Sequence, residues 1–279
     1  MKPALYDLHC HSTASDGALS PTEVVQRAYQ QGVTILALTD HDTTAGLAEA
    51  DTAAKAVGIQ LIKGIELSTN WQNMCFHIVG LDIDPHYAPL AEASVRLQHT
   101  RLERAEKIAL KLEKKRISGA LAAVKSAVGE GMITRSHFAD FLLSQNHVAT
   151  AQEAFDRYLG KGKSAYVSTT WVEMEVAINW IVESGGVAVL AHPLRYQLTA
   201  KWMQRLLNAF KEAGGQGIEV ITARNNADDI RAAANYATRF ELRGSVGSDF
   251  HNTTSPYVEL GRLAMLPSPV RPIWELLGR

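Results

Sequence analysis

Val33 to Thr39 is an unbroken apolar run, and the Ala-rich segment that follows, from about Thr44 to Val57, has helical spacing and stops at Gly58. A strand that is apolar on both sides has to be covered on both, as a parallel strand is when its crossovers are helices. The unit recurs. Tyr6 to His11 reads as a short strand, and Ser20-Pro21-Thr22-Glu23 supplies an N-cap, a proline at the first helical position and a capping-box glutamate for a helix that Gly32 closes. Further strands are expected at Val187 to Ala191, Gly217 to Thr222 and Leu242 to Gly247, with helices at Val172 to Glu183, Thr199 to Ala213 and Ala227 to Phe240. Leu61 to Leu67 and Met74 to Leu81 complete the set, joined by Ser68 to Asn73, where no helix fits. Seven strands with mostly helical crossovers predict an α/β fold, either a barrel or a wound parallel sheet.

After Pro85 the pattern changes. Ala91 to Arg116 carries dense alternating charge, Arg101 and Arg104 included, over Leu and Ile at helical spacing. This predicts a long amphipathic helix with a solvated face, turned to water or used for self-association. Helical patterns continue through Leu121 to Val128, His137 to Ser144 and Ala151 to Leu159, with no strand before Tyr166. The expected organisation is a barrel formed by 1–99 and 166–279, interrupted by a helical insertion domain at 100–165.

The 28 basic and 29 acidic side chains leave a formal charge of −1 over 279 residues, which argues against a protein that coats long nucleic acid but allows a local basic pocket. No uncharged apolar stretch reaches the roughly 18 residues of a membrane span. Met1 to His11 contains Lys2, Asp7, His9 and His11 where a signal peptide needs an apolar run. A cytoplasmic protein with no membrane association and no obligate protein partner is therefore expected. Cys10 and Cys75 form no CxxC and are too few for a disulfide framework; Cys10 reads as a small buried apolar side chain.

Of ten histidines, six fall in or at the end of a strand: His9 and His11, His41, His77, His192 and His251. Asp16, Asp40, Glu66 and Asp249 accompany them. In parallel α/β barrels the C-terminal ends of the strands converge on one face, where sites are built. His9-x-His11 puts two imidazoles on one side of an extended strand, where they can share a metal. Glu66 stands in an apolar strand, and an ionised carboxylate there is costly unless it is paired or bound to a cation. Asp249-x-His251 repeats the period-two presentation. Each fragment has a bland alternative, a solvated strand face or a helix N-cap, but five together at strand ends predict a multinuclear metal site.

These motifs are His9-Cys10-His11 with Ser15-Asp16-Gly17, Thr39-Asp40-His41-Asp42, Gly64-Ile65-Glu66, His77, Ala191-His192-Pro193 and Ser248-Asp249-Phe250-His251. In that order the chain resembles the PHP family, the polymerase and histidinol phosphatase group of metal-dependent phosphoesterases, over essentially its whole length. The resemblance implies a distorted seven-stranded (β/α) barrel and two or three divalent ions. It places one ion on His9, His11, Glu66 and Asp249, a second on Glu66, His77 and His192, and a third on Asp16, His41 and His251. Mn²⁺ is the ion it favours, with Fe²⁺ or Zn²⁺ compatible with the same donors. Ions bridged by Glu66 would lower the pKa of a shared water and neutralise charge on a phosphoryl group under attack. Asp40 then reads as a catalytic residue, an acceptor for a ligand N–H or a proton relay, with a helix N-cap as its other role.

Among family members the chain most resembles those that act as 5′→3′ exoribonucleases and 3′,5′-bisphosphonucleotide phosphatases. The supporting segments are Ile133 to Phe138, Tyr158 to Tyr166, Ala191 to Tyr196 and Gly215 to Val220. Arg135, Lys163 and Arg195 suit a second phosphate held away from the metals, a solvated loop being the alternative for Lys163. Tyr166, Tyr196 and Trp171 are candidates to stack on a base. The implied substrates are short 5′-phosphorylated RNA and 3′,5′-bisphosphonucleotides, both cut at the phosphoester on the 3′ oxygen. The alternatives are a histidinol phosphate phosphatase, or a catalytically silent module that metal only stabilises.

Overall fold

The computed structural model describes residues 4–278. Its strands are β1 (Tyr6–Asp7), β2 (Ile35–Leu38), β3 (Gln60–Trp71), β4 (Met74–Leu81), β5 (Val172–Glu173), β6 (Val187–Leu190), β7 (Gly217–Thr222) and β8 (Arg243–Gly247). They form one sheet in the order β1-β2-β3-β4-β6-β7-β8, with β5 added beside β3. The two ends approach each other. Leu8 N donates to Val246 O at 3.0 Å, and Cys10 makes a parallel bridge with Phe250, so seven strands close into a nearly complete barrel.

The barrel is distorted because β4 runs antiparallel to both β3 and β6, whereas the other pairs are parallel. The cause is local. Gln72 and Asn73 both take left-handed backbone angles, φ 51° and 61°, which suits the two-residue turn of a tight hairpin. The reversed strand brings its first half to the face where the parallel strands end, so His77 lies opposite Ser68 beside the end of β3. β3 itself runs on through Trp71, past the Leu67 limit expected from the sequence.

The helices are α1 (Pro21–Gln30), α2 (Leu47–Val57), α3 (Ala88–Glu113), α4 (Ala120–Val128), α5 (Arg135–Ser144), α6 (Ala151–Ala154), α7 (Met174–Glu183), α8 (Ala200–Glu212) and α9 (Ala227–Arg239). α1 starts on the expected capping box: Glu23 N donates to Ser20 Oγ at 3.2 Å and Ser20 N donates to Glu23 Oε2 at 2.8 Å. α6 passes into a π-helical turn, Phe155–Leu159. The expected helix from Val172 begins two residues later, because Val172 and Glu173 first pair with Thr69 and Asn70 of β3 as β5.

Leu8, Ala37, Ile62, Val79, Val189 and Ala191 fill the base of the barrel. A larger apolar layer packs the helices around its outside. A second core, separate from both, joins Ile108, Leu112, Val124, Phe138, Leu142 and Leu159. α3 contributes to two of them: Leu90, Ala93 and Leu97 are buried near its start, and Ala105, Ile108 and Leu112 near its end.

The charged face expected of α3 is solvated only in part. Arg101 continues the stripe Leu90, Ala93, Leu97 and is 5% exposed. Its Nε and Nη2 bond Asp42 Oδ2 at 2.7 and 2.5 Å, and Nη2 also donates to Ser68 Oγ at 2.9 Å. Asp42 in turn accepts from the Ser68 amide at 2.6 Å. Removing one member of a buried ion pair leaves the other uncompensated, at about 3–5 kcal/mol. Arg101→Ala is expected to lower the free energy of unfolding by about that much, measured as a shift in urea midpoint at constant slope. Adding Asp42→Asn should restore part of the loss.

Candidate metal centre and substrate cavity

The ends of five parallel-running elements and the start of β4 deliver the polar residues to one face. His9 and His11 follow β1, Asp16 lies in the next loop, Asp40 and His41 follow β2, and Glu66 projects from β3. His77 comes from β4, His192 follows β6, and Asp249 and His251 follow β8. Asp42, His192 and Asp249 all have positive φ, 55°, 29° and 53°, conformations that a side chain other than Gly's disfavours. Strain of this kind persists where surrounding contacts enforce it, and it clusters at functional sites.

Glu66 lies at the centre. Its Oε2 is 3.4 Å from His9 Nε2, 3.3 Å from His11 Nε2 and 2.9 Å from His41 Nδ1; its Oε1 is 2.9 Å from His77 Nδ1 and 3.1 Å from His192 Nε2. His9 Nε2 and His11 Nε2 are 3.1 Å apart, and Asp249 Oδ1 is 3.4 and 3.3 Å from them. A cation about 2.1 Å from four tetrahedral donors sets those donors about 3.4 Å apart. The His9, His11, Glu66 and Asp249 atoms therefore have the mutual spacing of a ligand shell. A neighbouring group unites His41, Glu66 and His77, and another unites His11, Asp16, His41 and His251; in each, one donor atom per residue lies within 4.8 Å of the others.

The carboxylates stay ionised despite their burial. Burial alone raises a carboxyl pKa, yet Asp16, Glu66 and Asp249 are held well below the usual range by the imidazoles, and in Asp249 by Arg195, around them. Burial alone lowers an imidazole, and His41 falls to about 4. His77 and His251 rise instead, to about 10 and about 9, because Glu66, and Asp16 with Asp249, outweigh their burial. Asp16 Oδ1 and Glu66 Oε2 are buried without a hydrogen-bond partner. Oxygen and imidazole donors with unsatisfied lone pairs at this spacing fit divalent ions.

Three further residues support the cluster. Glu219, in β7 and 1% exposed, accepts from His9 Nδ1 at 2.7 Å and from the His192 amide at 2.5 Å, fixing one imidazole and the strained turn of another. Its signal in the sequence is the one that marked Glu66, a lone carboxylate in an apolar strand. Asp40 touches no imidazole. It accepts from Ser12 N and Ser12 Oγ at 2.7 Å and from Ser15 Oγ at 2.6 Å, and it reaches His11 only through Ser15, whose Oγ is 3.4 Å from His11 Nδ1. The N-cap of α2 is Gly46, so Asp40 does not cap that helix. Asp7, buried under β8, accepts from the Ser248 and Gly261 amides and so anchors the backbone that carries Asp249.

The cluster forms the floor of a cavity of about 650 Å³. Arg101, Arg104, Arg135 and Arg195 line its walls with Phe155, Tyr166 and Trp171. Lys163 is exposed and lies outside this lining, and Arg104, which the sequence placed on a solvated helix face, stands beside Arg135 instead. Burial, with Arg135 and Arg101 close by, pushes Arg104 down to about 9, and its Nε is buried without a partner. Arg195 is tied to Asp249 through Nη1. Trp171 has the Arg101 and Arg104 guanidiniums 5.1 and 5.4 Å from its ring centroid, and Tyr196 uses its hydroxyl to accept from the His77 amide. Of the three stacking candidates, Tyr166 is the one left without such an engagement among the described residues.

Residues 7–223 match the family described as the PHP domain. The chain is 48% identical over 270 residues to a 5′-3′ exoribonuclease of Haemophilus influenzae, covering 97% of this chain and 98% of that protein. It is 44% identical over 272 residues to a 3′,5′-nucleoside bisphosphate phosphatase of Chromobacterium violaceum, covering 97% of this chain and 95% of the relative. A solved structure from the same organism, described as an amidohydrolase with bound sulfate and no metal, superposes with a TM-score of 0.93 at 44% identity, over 98% of this chain and 96% of that one.

Two outcomes are expected. The stability that His77 and His251 contribute is fully present below the ordinary imidazole pKa of about 6.5 and is lost as pH rises through about 9 to 10. Chelator-stripped protein should therefore melt at progressively lower temperature from about pH 7 upward, and protein loaded with divalent ion should not. Glu219→Gln is expected to weaken metal binding by about 10- to 100-fold in calorimetric titration.

Proposed function

The chain belongs to the PHP domain family, and from that premise we propose that it is a metal-dependent phosphoesterase that hydrolyses the phosphoester on the 3′ oxygen of 5′-phosphorylated nucleotides. It acts as a 5′→3′ exoribonuclease on short RNA and as a 3′-phosphatase on 3′,5′-bisphosphonucleotides. The carrying observation is one cavity with two unlike sides: a floor of imidazoles and carboxylates centred on Glu66, and a wall on which Arg104 and Arg135 stand side by side. A substrate with one phosphate to be cut and another to be held matches both. The names of the two relatives, at 48% and 44% identity, support the same pair of activities.

In this reading His9, His11, Glu66 and Asp249 hold one ion, Glu66 with His77 and His192 a second, and Asp16, His41 and His251 a third. Mn²⁺ is the ion proposed. Bound there, divalent ions supply an activated water and neutralise charge on the phosphoryl group. The chain's own residues do the rest. Glu219 keeps His9 in one tautomer, and Asp40 holds the loop that carries Asp16. Arg135 and Arg104 grip the 5′-phosphate, Arg with its planar fork, in a setting where burial strengthens the attraction. Lys163, being exposed, attracts the substrate from outside rather than holding it. The segment 100–165 is proposed as a distinct insertion unit that brings this basic wall to the barrel. No helix of the described residues is long and apolar enough to cross a membrane, and the proposed site of action is the cytoplasm.

Product analysis tests the proposal. Mn²⁺-loaded protein is incubated with a short 5′-phosphorylated RNA, its 5′-hydroxyl counterpart, a 3′,5′-bisphosphonucleotide and histidinol phosphate, with Asp249→Ala as the blank. Stepwise 5′-mononucleotides from the phosphorylated RNA and inorganic phosphate from the bisphosphonucleotide are expected. Arg135→Ala should raise KM far more than it lowers kcat. Equal rates on the two RNAs, or release of phosphate from histidinol phosphate alone, would overturn it.

A further inference from the structure

The helical segment meets the loop that carries Asp16, and Asp16's carboxylate is part of the contact. The Asp16 side chain is buried, 3% exposed, and its two oxygens have different surroundings. Oδ1 faces His251 Nε2 at 3.4 Å and His41 Nε2 at 3.9 Å without a hydrogen bond. Oδ2 accepts from Thr134 Oγ1 at 2.9 Å and from Ser136 Oγ at 3.0 Å. Both hydroxyls sit at the start of α5, where Thr134 is the N-cap and its amide donates to His137 Nδ1 at 3.0 Å. The contact extends to the backbone: Met132 N donates to Ala14 O at 2.9 Å, and a Cβ at Gly131 would lie 2.6 Å from Thr13 O. Arg135, between the two hydroxyls in sequence, lines the cavity next to Arg104.

We propose that Thr134 and Ser136 are positioning residues for Asp16, so that a 5′-phosphorylated nucleotide held at Arg135 and a divalent ion held by Asp16, His41 and His251 strengthen each other's binding. The inference rests on the function proposed above. A carboxylate fixed by two donors on one oxygen presents the other in a single direction, and such supporting bonds govern metal affinity. The turn that carries the donors also carries Arg135, so a ligand that orders one orders the other, and binding linkage is reciprocal. Capping alone does not account for the contact. The cap of α5 uses the Thr134 hydroxyl and the His137 ring, and the Ser136 hydroxyl takes no part in it.

The test compares the full-length chain with Ser136→Ala, Thr134→Val and the double variant. Bound metal is counted by atomic emission after dialysis against Mn²⁺, and Mn²⁺ affinity is titrated calorimetrically with and without adenosine 5′-monophosphate. The double variant is expected to bind its weakest ion about tenfold or more weakly, and the gain in Mn²⁺ affinity that the nucleotide gives the parent should shrink. Thr134→Ser should retain parental behaviour. Ser136→Ala, stripped of metal, should melt with the parent, since the α5 cap is intact. Unchanged Mn²⁺ affinity in the double variant overturns the positioning role. A nucleotide effect that is absent from the parent, or equal in the variant, overturns the linkage. Metal counts that respond as expected in a protein inactive on every nucleotide would keep the positioning role and discard the proposed function.

Discussion

Glu66 is a fully buried carboxylate within 3.5 Å of imidazole nitrogens from five histidines, and the rest of the molecule is arranged around its charge. An isolated carboxylate in an apolar strand is too costly to keep ionised. Those five histidines reach it from four parts of the chain: His9 and His11 from the end of β1, His41 from the loop after β2, His77 from the reversed strand β4 and His192 from the turn after β6. A slip of one residue in β3 would turn Glu66 to the other side of the sheet. The eight-residue register between β3 and β4 is thus what keeps the centre assembled, with Ser68 opposite His77 among the pairs that line the cavity.

Much of this was legible in the sequence because polar residues in apolar strands are conspicuous. His9, His11, Glu66, His77 and Asp249 stood out against neighbours that bury, and the strand positions followed from the apolar runs themselves. Periodicity says nothing of direction, so the antiparallel course of β4 was not read from the sequence, although a connection too short for a helix, Ser68 to Asn73, agrees with it. The errors came from reading charge as exposure. Arg101 sits on the buried stripe of α3 at the same spacing as Leu97 and Leu90, but the surrounding lysines and glutamates masked it. Arg104 was lost for the same reason, and Lys163, read either as a ligand for a second phosphate or as a solvated loop cation, lies outside the cavity lining. Glu219 was overlooked although it met the criterion applied to Glu66. What Asp40 and Thr134 contact is a matter of packing between distant segments, which no local pattern records.

The cavity has two authors within one chain. Its floor belongs to the barrel, and most of its basic wall comes from α3 and the start of α5. Arg101 links the two, holding Asp42 beside His41 while its guanidinium packs near Trp171. Because α3 is buried at one end against the barrel and at the other in the second core, the floor and the wall share one helix. That arrangement places the Arg101 and Arg104 guanidiniums on the same cavity as the imidazoles.

The barrel is closed by contacts between its first and last strands, as when the Ser248 amide meets Asp7 across 241 positions of sequence. During synthesis on the ribosome, His9 and His11 emerge well before Asp249, the carboxylate that faces both. A growing chain passes through every stage of construction with an incomplete ligand shell. A centre built in this order cannot gather its full set of donors until the last strand of the barrel has been made, so the threading of the fold sets the order in which its chemistry can appear.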